Sequence, residues 1–365
     1  MNKVSFNDLR TQYLKIRDNI ELAISKVYEH GLYINGPEVH ELEKKLSSYT
    51  GSKYCISVAN GTDALEIAQK AINIKAGDEI ILPAYTWIST AETVKYIGAN
   101  PVYCDVDGDT FCVDVQDIYS KITQRTKAIV AVSLFGQCAD LIDLKKFCDS
   151  EGIYLIEDAA QSFGAMHLNQ KSCSIAHIST TSFFPSKPLG CFGDGGAIFT
   201  DDDELAKRIR LLARHGQLEK DNFVIVGRNS RLDTIQAAIL LEKLKIFDQE
   251  IKLRNDVHHS YKKFIDSDIY TCPVIKDYNR SVFAQYTLKA SENVIKNAQK
   301  QLSKNNIPST TYYKRPIHLQ EAYRTNEVIE LPTTDSLASK TISLPMSPYI
   351  SKEIIEEIAT IINQI

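Results

Sequence analysis

The sequence predicts an α/β protein, a mostly parallel sheet wrapped by helices and followed by a smaller α+β unit. Three observations carry this. Between residue 54 and about residue 200, short apolar runs alternate with segments of helical period. Two amphipathic helical patterns precede that region, and strand-like pieces mixed with helices follow it. The chain has 365 residues, 44% hydrophobic and 24% charged, which suits a globular protein with a sizeable core.

In chain order, Tyr13, Ile16, Ile20, Ile24 and Val27 recur at spacings of three and four, with Gly31 as a stop. A second helix starts after Pro37, turns Val39, Leu42, Leu46 and Tyr49 inward, and stops at Gly51. The strand-like runs are Tyr54–Val58, Glu79–Leu82, Pro101–Cys104, Ala128–Leu134, Ile153–Ile156 and Ala197–Thr200. Helical segments such as Thr62–Ile74, Ile88–Ile97 and Leu141–Ser150 lie between them. From Ser230 to Phe264 the pattern is helical again and leaves room for a bend near Asp248. Beyond it, Ile269–Val274 and Ala284–Leu288 read as strands, with helices at 293–305 and 352–363. This divides the chain into a large domain, residues 1–250, and a small C-terminal domain, residues 251–365. The first helix is expected to pack on the small domain.

The charge balance, 42 Lys+Arg against 46 Asp+Glu, gives no basic surface for nucleic acid or membrane. The opening MNKVSFNDLR lacks the apolar core of a signal peptide. No stretch approaches the roughly 20 apolar residues of a membrane helix. The eight cysteines form no C-x-x-C pair and several sit in apolar runs. They read as reduced packing residues, and no metal site is expected. A cytoplasmic location is the default.

In parallel sheets ligands sit beyond the carboxyl ends of the strands, so the residues after each strand matter most. After Val58 comes Ala59-Asn60-Gly61-Thr62, a tight turn into a helix. Free N–H groups and the helix dipole there suit a phosphate, though an ordinary capped turn has the same look. After the second run comes Trp87, the single tryptophan, placed either to stack on a ring or to fill a core. Glu157 and Asp158 end an apolar strand, where a carboxylate is costly without a cationic partner such as a protonated ring nitrogen, or else caps the next helix. Lys187 stands between Phe184-Pro185 and Pro188-Leu189, ahead of a glycine-rich run. Desolvation there lowers an amine's pKa and favours Schiff-base chemistry, whereas a lysine that snorkels to water is the commoner case. A phosphate cradle, a stacking aromatic, an acid and an isolated amine on strand ends are together what pyridoxal phosphate requires.

The segments ANGTDAL, PAYTWIST, IEDAAQSFGA, SFFPSKPLGCFGDGGAI, RHGQ and GRNSRLDTIQAAIL, in this order over nearly the whole chain, resemble the pyridoxal-phosphate-dependent nucleotide-sugar aminotransferases of the DegT/DnrJ/EryC1/StrS group. Within it, ANGTDAL, VSLFGQCADL and TSFFPSKPLG are most similar to the UDP-2-acetamido-3-keto-glucuronate aminotransferases, which make 3-amino sugar uronates for bacterial O-antigens. The resemblance implies aspartate-aminotransferase fold type I, with a seven-stranded, mainly parallel sheet, and a homodimer with active sites between subunits. It implies that Lys187 carries the cofactor as a Schiff base and that Asp158 faces the pyridine nitrogen. Gln161 would meet the ring's phenolic oxygen, and Gly61, Thr62 and Ser182 the phosphate. Trp87 would stack on the ring, and Asn229 would reach the phosphate from the second subunit. Arg231 is the candidate for a substrate carboxylate or the nucleotide.

Tyr312-Tyr313-Lys314-Arg315, with His318, resembles the family's substrate loop, with Tyr-Tyr-Lys where relatives often have His-Tyr-Pro. Lys314 and Arg315 suit a diphosphate or uronate, or equally a solvated basic turn. The implied reaction takes an amino group from glutamate, leaving 2-oxoglutarate and pyridoxamine phosphate, and hands it to a keto sugar. Lysine at 187 argues against the related dehydratases, which carry histidine there. The alternatives are amination at carbon 4 of a UDP- or dTDP-linked hexose or pentose, an amino-acid lyase of the same fold, and a cofactor-binding sensor.

Overall fold

The computed structural model describes residues 4–324 and 328–364. Two helices open the chain, α1 (Leu9–His30) and α2 (Pro37–Thr50), each ended by a glycine in the left-handed region, Gly31 and Gly51. Glycine there has no Cβ to clash and lets its N–H close the last turn. Strand β1 (Tyr54–Val58) leads into α3 (Gly61–Ala71), and β2 (Glu79–Pro83) into α4 (Ser89–Tyr96). Next come β3 (Asn100–Cys104), α5 (Val115–Ser120), β4 (Thr126–Val132), α6 (Leu141–Glu151) and β5 (Tyr154–Asp158). A short hairpin, β6 (Met166–His167) and β7 (Gln170–Lys171), precedes β8 (Ile178–Ser182), β9 (Gly196–Thr200) and α7 (Asp203–Ala213). A second hairpin, β10 (Gln217–Glu219) and β11 (Asn222–Phe223), leads to the long helix α8 (Thr234–Phe264). The chain finishes with β12 (Asn279–Arg280), β13 (Tyr286–Lys289), α9 (Glu292–Lys304), α10 (Pro332–Leu337), β14 (Thr341–Leu344) and α11 (Lys352–Asn363).

The main sheet has seven strands in the order β1-β9-β8-β5-β4-β2-β3. Only β9 runs against the others. Alternation along each strand splits the core in two. Cys55, Ile81, Ile129, Leu155 and Phe199 face α2, α6 and α8. Ile56, Ile80, Val130, Ile156 and Ile198 face α3, α4 and α7. A third cluster gathers Val257 and Tyr261 of α8 with β13, β14, α9 and α11. Helix α8 thus passes from one core into another without interruption; at 1.5 Å per residue it is about 46 Å long. Helix α1 packs on its first half through Ile16, Ile20 and Ile239. Gln12 reaches Glu250 at 2.9 Å, and the N-terminal residue Val4 joins the third cluster.

The structure corrects three expectations. The bend that the pattern allows near Asp248 is not made, since Thr234–Phe264 is one helix with no non-helical residue inside. Ile269–Val274 forms no strand; only Thr271 bridges to Lys289, and Pro273 lacks the N–H a ladder needs. Conversely, Ile178–Ser182 is an interior strand that an apolar-run criterion passes over. Three of its hydroxyls are buried and paired: Ser179 donates to Glu157, Thr180 to the Glu157 carbonyl and Thr181 to the Ala159 carbonyl. No helix among the described residues is long and apolar enough to cross a membrane.

Phe247 ties α8 to the sheet, with its ring 5.8 Å from those of both Phe163 and Tyr49. Phe247→Ala leaves a cavity there and is expected to cost about 3–5 kcal/mol. The urea midpoint of the purified protein should fall accordingly, and an unchanged midpoint contradicts this packing.

Candidate active site

The carboxyl ends of β1, β2, β4, β5 and β8 meet at one rim of the sheet, and all the singled-out cofactor residues except Asn229 lie on segments that leave this rim. At β1, Asn60 caps α3 by accepting the Asp63 N–H at 2.8 Å, which leaves the earlier N–H groups of the helix free. Gly61 presses against the end of β8: a Cβ on it would lie 2.8 Å from the Ser182 Cβ. Only glycine permits that approach, so Gly61 and Ser182 form two sides of one small cradle. Thr62 Oγ1 lies beside it, 2.8 Å from Ser89 Oγ.

Strand β5 carries two buried carboxylates to opposite faces, as strand alternation requires. Glu157 is enclosed by the hydroxyls of Ser133, Ser172 and Ser179 and the N–H of Cys173, at 2.6–3.2 Å. Despite its burial, which raises its pKa, its acceptors are used up by structure. Asp158 faces the rim. It accepts the Ala160 N–H at 3.1 Å and has Thr90 Oγ1 at 3.4 Å. Burial raises its pKa, and the charge of Lys187 works the other way.

Lys187 sits in a turn after β8, where its N–H donates to the Phe184 carbonyl at 2.8 Å. Gly190 closes this turn; a Cβ there would lie 2.6 Å from the Phe184 and Pro185 carbonyl oxygens. Lys243 of α8, itself buried, grips the Gly190 carbonyl at 2.7 Å. Cys191 packs inside, donating to Phe183 and Gly193 carbonyls at 3.1 Å. Burial pushes the pKa of the Lys187 amine below the ordinary lysine value, and Asp158 pulls it back up. The turn therefore holds a desolvated amine in the field of a desolvated carboxylate.

Gln161 is fixed at both ends. Its Oε1 accepts the Phe135 N–H at 2.8 Å and its Nε2 donates to the Tyr313 hydroxyl at 3.1 Å. Phe135 and Tyr313 both adopt positive φ, 55° and 58°. Such strain in bulky residues costs on the order of 1–3 kcal/mol each and concentrates where geometry matters. Trp87, at the exit of β2, is 63% exposed, so it is not a core residue.

The substrate-loop residues separate into different surroundings. The Tyr312 carbonyl accepts the Tyr85 hydroxyl at 3.1 Å, and Tyr313 stacks over Phe135. Lys314 and Arg315 are exposed, and Arg315 Nε donates to the Leu319 carbonyl at 2.8 Å. His318 is buried beside Tyr103, 3.2 Å from Asp335; none of its recorded contacts joins it to Lys187, Asp158 or Gln161. Asn229 is exposed and Arg231 half-buried, on the segment between β11 and α8. The roles of Thr90, the Phe135 N–H and Ser89 escape sequence reading, because each is made by the meeting of two strand ends. Ser89 and Thr90 do lie within PAYTWIST, the one signal available.

Residues 14–363 match the DegT/DnrJ/EryC1/StrS aminotransferase family. The chain is 49% identical over 347 residues to the UDP-2-acetamido-2-deoxy-3-oxo-D-glucuronate aminotransferase of Pseudomonas aeruginosa, covering 95% of this chain and 96% of that protein. Its fold matches a crystal structure of a DegT DnrJ EryC1 StrS aminotransferase from Brucella abortus with a TM-score of 0.95 at 40% identity, covering 99% of this chain and 98% of that one. It also matches S. venezuelae DesV in complex with a ketimine intermediate, with a TM-score of 0.96 at 32% identity, covering 100% and 98%. With a strand-end amine, acid and cradle assembled on this sheet and the likeness running end to end, the chain belongs to the DegT/DnrJ/EryC1/StrS aminotransferase family.

Proposed function

We propose that this protein is a pyridoxal-phosphate-dependent aminotransferase that moves an amino group from glutamate to carbon 3 of a UDP-linked 2-acetamido-3-keto-hexuronate. The product is an amino sugar for an O-antigen or similar surface polysaccharide. The observation that carries the chemistry is the geometry that brings the Lys187 turn after β8 and buried Asp158 at the end of β5 to the ends of adjacent strands, with burial lowering the amine's pKa and the Asp158 charge raising it. The substrate rests on the identity to the Pseudomonas aeruginosa enzyme.

The residues present fit the cofactor. The approach of Gly61 to Ser182 leaves a cradle that a Cβ would fill, at a helix start suited to phosphate. Pyridoxal phosphate, when bound, supplies an aldehyde carbon that joins amines and a ring that accepts the electron pair left by a broken C–H bond. Lys187 holds the aldehyde carbon through its amine. Its free amine would carry the proton from the donor's α-carbon as general acid and base. Asp158 keeps the ring nitrogen positively charged, and Gln161 orients the ring's oxygen. Gly61, Thr62 and Ser182 take the phosphate, with Asn229 arriving from a second copy of the chain, and Trp87 covers the ring.

Arg231, Lys314 and Arg315 supply positive charge for diphosphate or uronate, and Tyr312, Tyr313 and His318 shape the sugar side. Arg315 spends one N–H on its own turn, and among the described residues no other partner occupies its guanidinium. The exposed apolar residues Leu32, Tyr33, Ile34, Phe223 and Val224 support a homodimer that covers them. We read residues 1–250 and 251–365 as its large and small domains, and the cytoplasm, where nucleotide sugars are made, as its location.

Lys187→Ala should lower kcat roughly 10⁴-fold. Borohydride treatment of the variant should leave no cofactor mass on the peptide spanning position 187. Turnover near the wild-type rate in a glutamate-dependent assay would sink the assignment. The pH dependence follows from the signs. The amine reacts when neutral, that is above its pKa, which burial lowers and Asp158 raises. Capture of a simple aldehyde at Lys187, trapped with borohydride and read by peptide mass, should therefore have its midpoint below the roughly 10.4 of a free lysine. Asp158→Asn should move that midpoint lower still; a rise instead would show that Asp158 does not act on this amine.

A further inference from the structure

We propose that Arg228 is a positioning residue that cancels two carboxylates built into the start of α3, so that this helix terminus can take a phosphate dianion. The inference rests on the reading that Gly61, Thr62 and Ser182 hold the cofactor's phosphate. Asp63 and Glu66, at the third and sixth positions of α3, are 5% and 8% exposed. Asp63, in the first turn, occupies the same positive field that a phosphate would use, Glu66 adds a second negative charge one turn further in, and a further dianion beside them is repelled.

Arg228 answers this charge. Its Nη2 lies 2.8 Å from Asp63 Oδ1, and its Nη1 bonds Glu66 Oε2. The other oxygen of Glu66 pairs with Lys70 at 2.7 Å. Two carboxylates thus meet two cations, Arg228 from outside the helix and Lys70 from its last turn, and the cluster carries no net side-chain charge.

The backbone around Arg228 is anchored for this task. Its N–H donates to the Leu212 carbonyl at 2.8 Å, and its carbonyl accepts the His215 N–H at 2.9 Å. Two residues on, the Ser230 N–H donates to the Ala213 carbonyl at 3.0 Å, and Ser230 Oγ accepts the Ala59 N–H at 3.1 Å. The segment carrying Asn229 is therefore laid against the turn that opens α3. Since Nη1 and Nη2 already hold carboxylates, Arg228 acts through Asp63 and Glu66 rather than as a phosphate ligand.

The test compares full-length apoenzyme titrated by absorbance with pyridoxal 5′-phosphate and with pyridoxal, which lacks the phosphate. Arg228→Met should weaken phosphate-ester binding about ten- to thirtyfold and leave pyridoxal binding unchanged. Adding Asp63→Asn and Glu66→Gln to Arg228→Met should restore the preference. The same two changes with Arg228 intact should strengthen it, which keeps the proposal testable if the methionine variant folds poorly. Equal loss for both ligands, or no rescue by the neutral pair, overturns the role of Arg228. A wild-type protein that binds pyridoxal as well as its phosphate ester overturns instead the underlying reading of the cradle.

Discussion

The site depends on one buried carboxylate. Asp158 ends a central strand with sheet on both sides, where an unpaired anion costs several kcal/mol. Its hydrogen bonds are few: one backbone N–H and one long contact to Thr90. Glu157, its neighbour in sequence, has four donors and is complete as it stands. The contrast separates a structural carboxylate from one still short of a cation. A protonated pyridine nitrogen would meet that need under the proposed function, and the Lys187 amine lies close enough to respond to the same charge.

Much of this was legible because each piece is local. A strand, a turn with Gly61 and a helix start can be read in a dozen residues. So can a lysine walled by prolines and aromatics, and an acid ending an apolar run. The seven-stranded sheet came from family likeness, since the apolar runs account for only six of its strands. The missing one, Ile178–Ser182, hides because its polarity is satisfied by neighbouring strands rather than by water. Ile269–Val274 misleads for the opposite reason: it is apolar because it packs, yet Pro273 keeps it out of a ladder. The opposite facing of Glu157 and Asp158 follows from alternation alone. Which of them meets the rim does not, because that depends on which helices cover each face.

What no local reading supplies is charge compensation across the fold. Asp63 and Glu66 look like ordinary favourable residues in the first turns of a helix. Arg228 looks like one more basic residue in a loop 162 positions beyond Glu66. Only the fold brings them together, and it does so where a second, larger anion is expected. In the proposed reading, the match lets one helix end serve both its own stability and a ligand.

The substrate loop shows the same economy in its backbone. It is fastened at both ends to the exit of β2: the Tyr85 hydroxyl holds the Tyr312 carbonyl, and the Ile317 N–H donates to the Ala84 carbonyl at 3.0 Å. Between those points the chain is forced through a positive φ at Tyr313, which turns its hydroxyl onto Gln161. Gln161 also holds the strained Phe135 through its N–H. One of the two Gln161 amide N–H groups is spent on Tyr313, and a group that takes that N–H displaces a residue whose strained φ makes the exchange cheaper than breaking a relaxed hydrogen bond. The loop that carries Lys314 and Arg315 is thereby linked mechanically to the residue expected to meet the ring oxygen. Substrate-side and cofactor-side geometry are set by one shared amide, and a change of sequence in 312–315 acts on both.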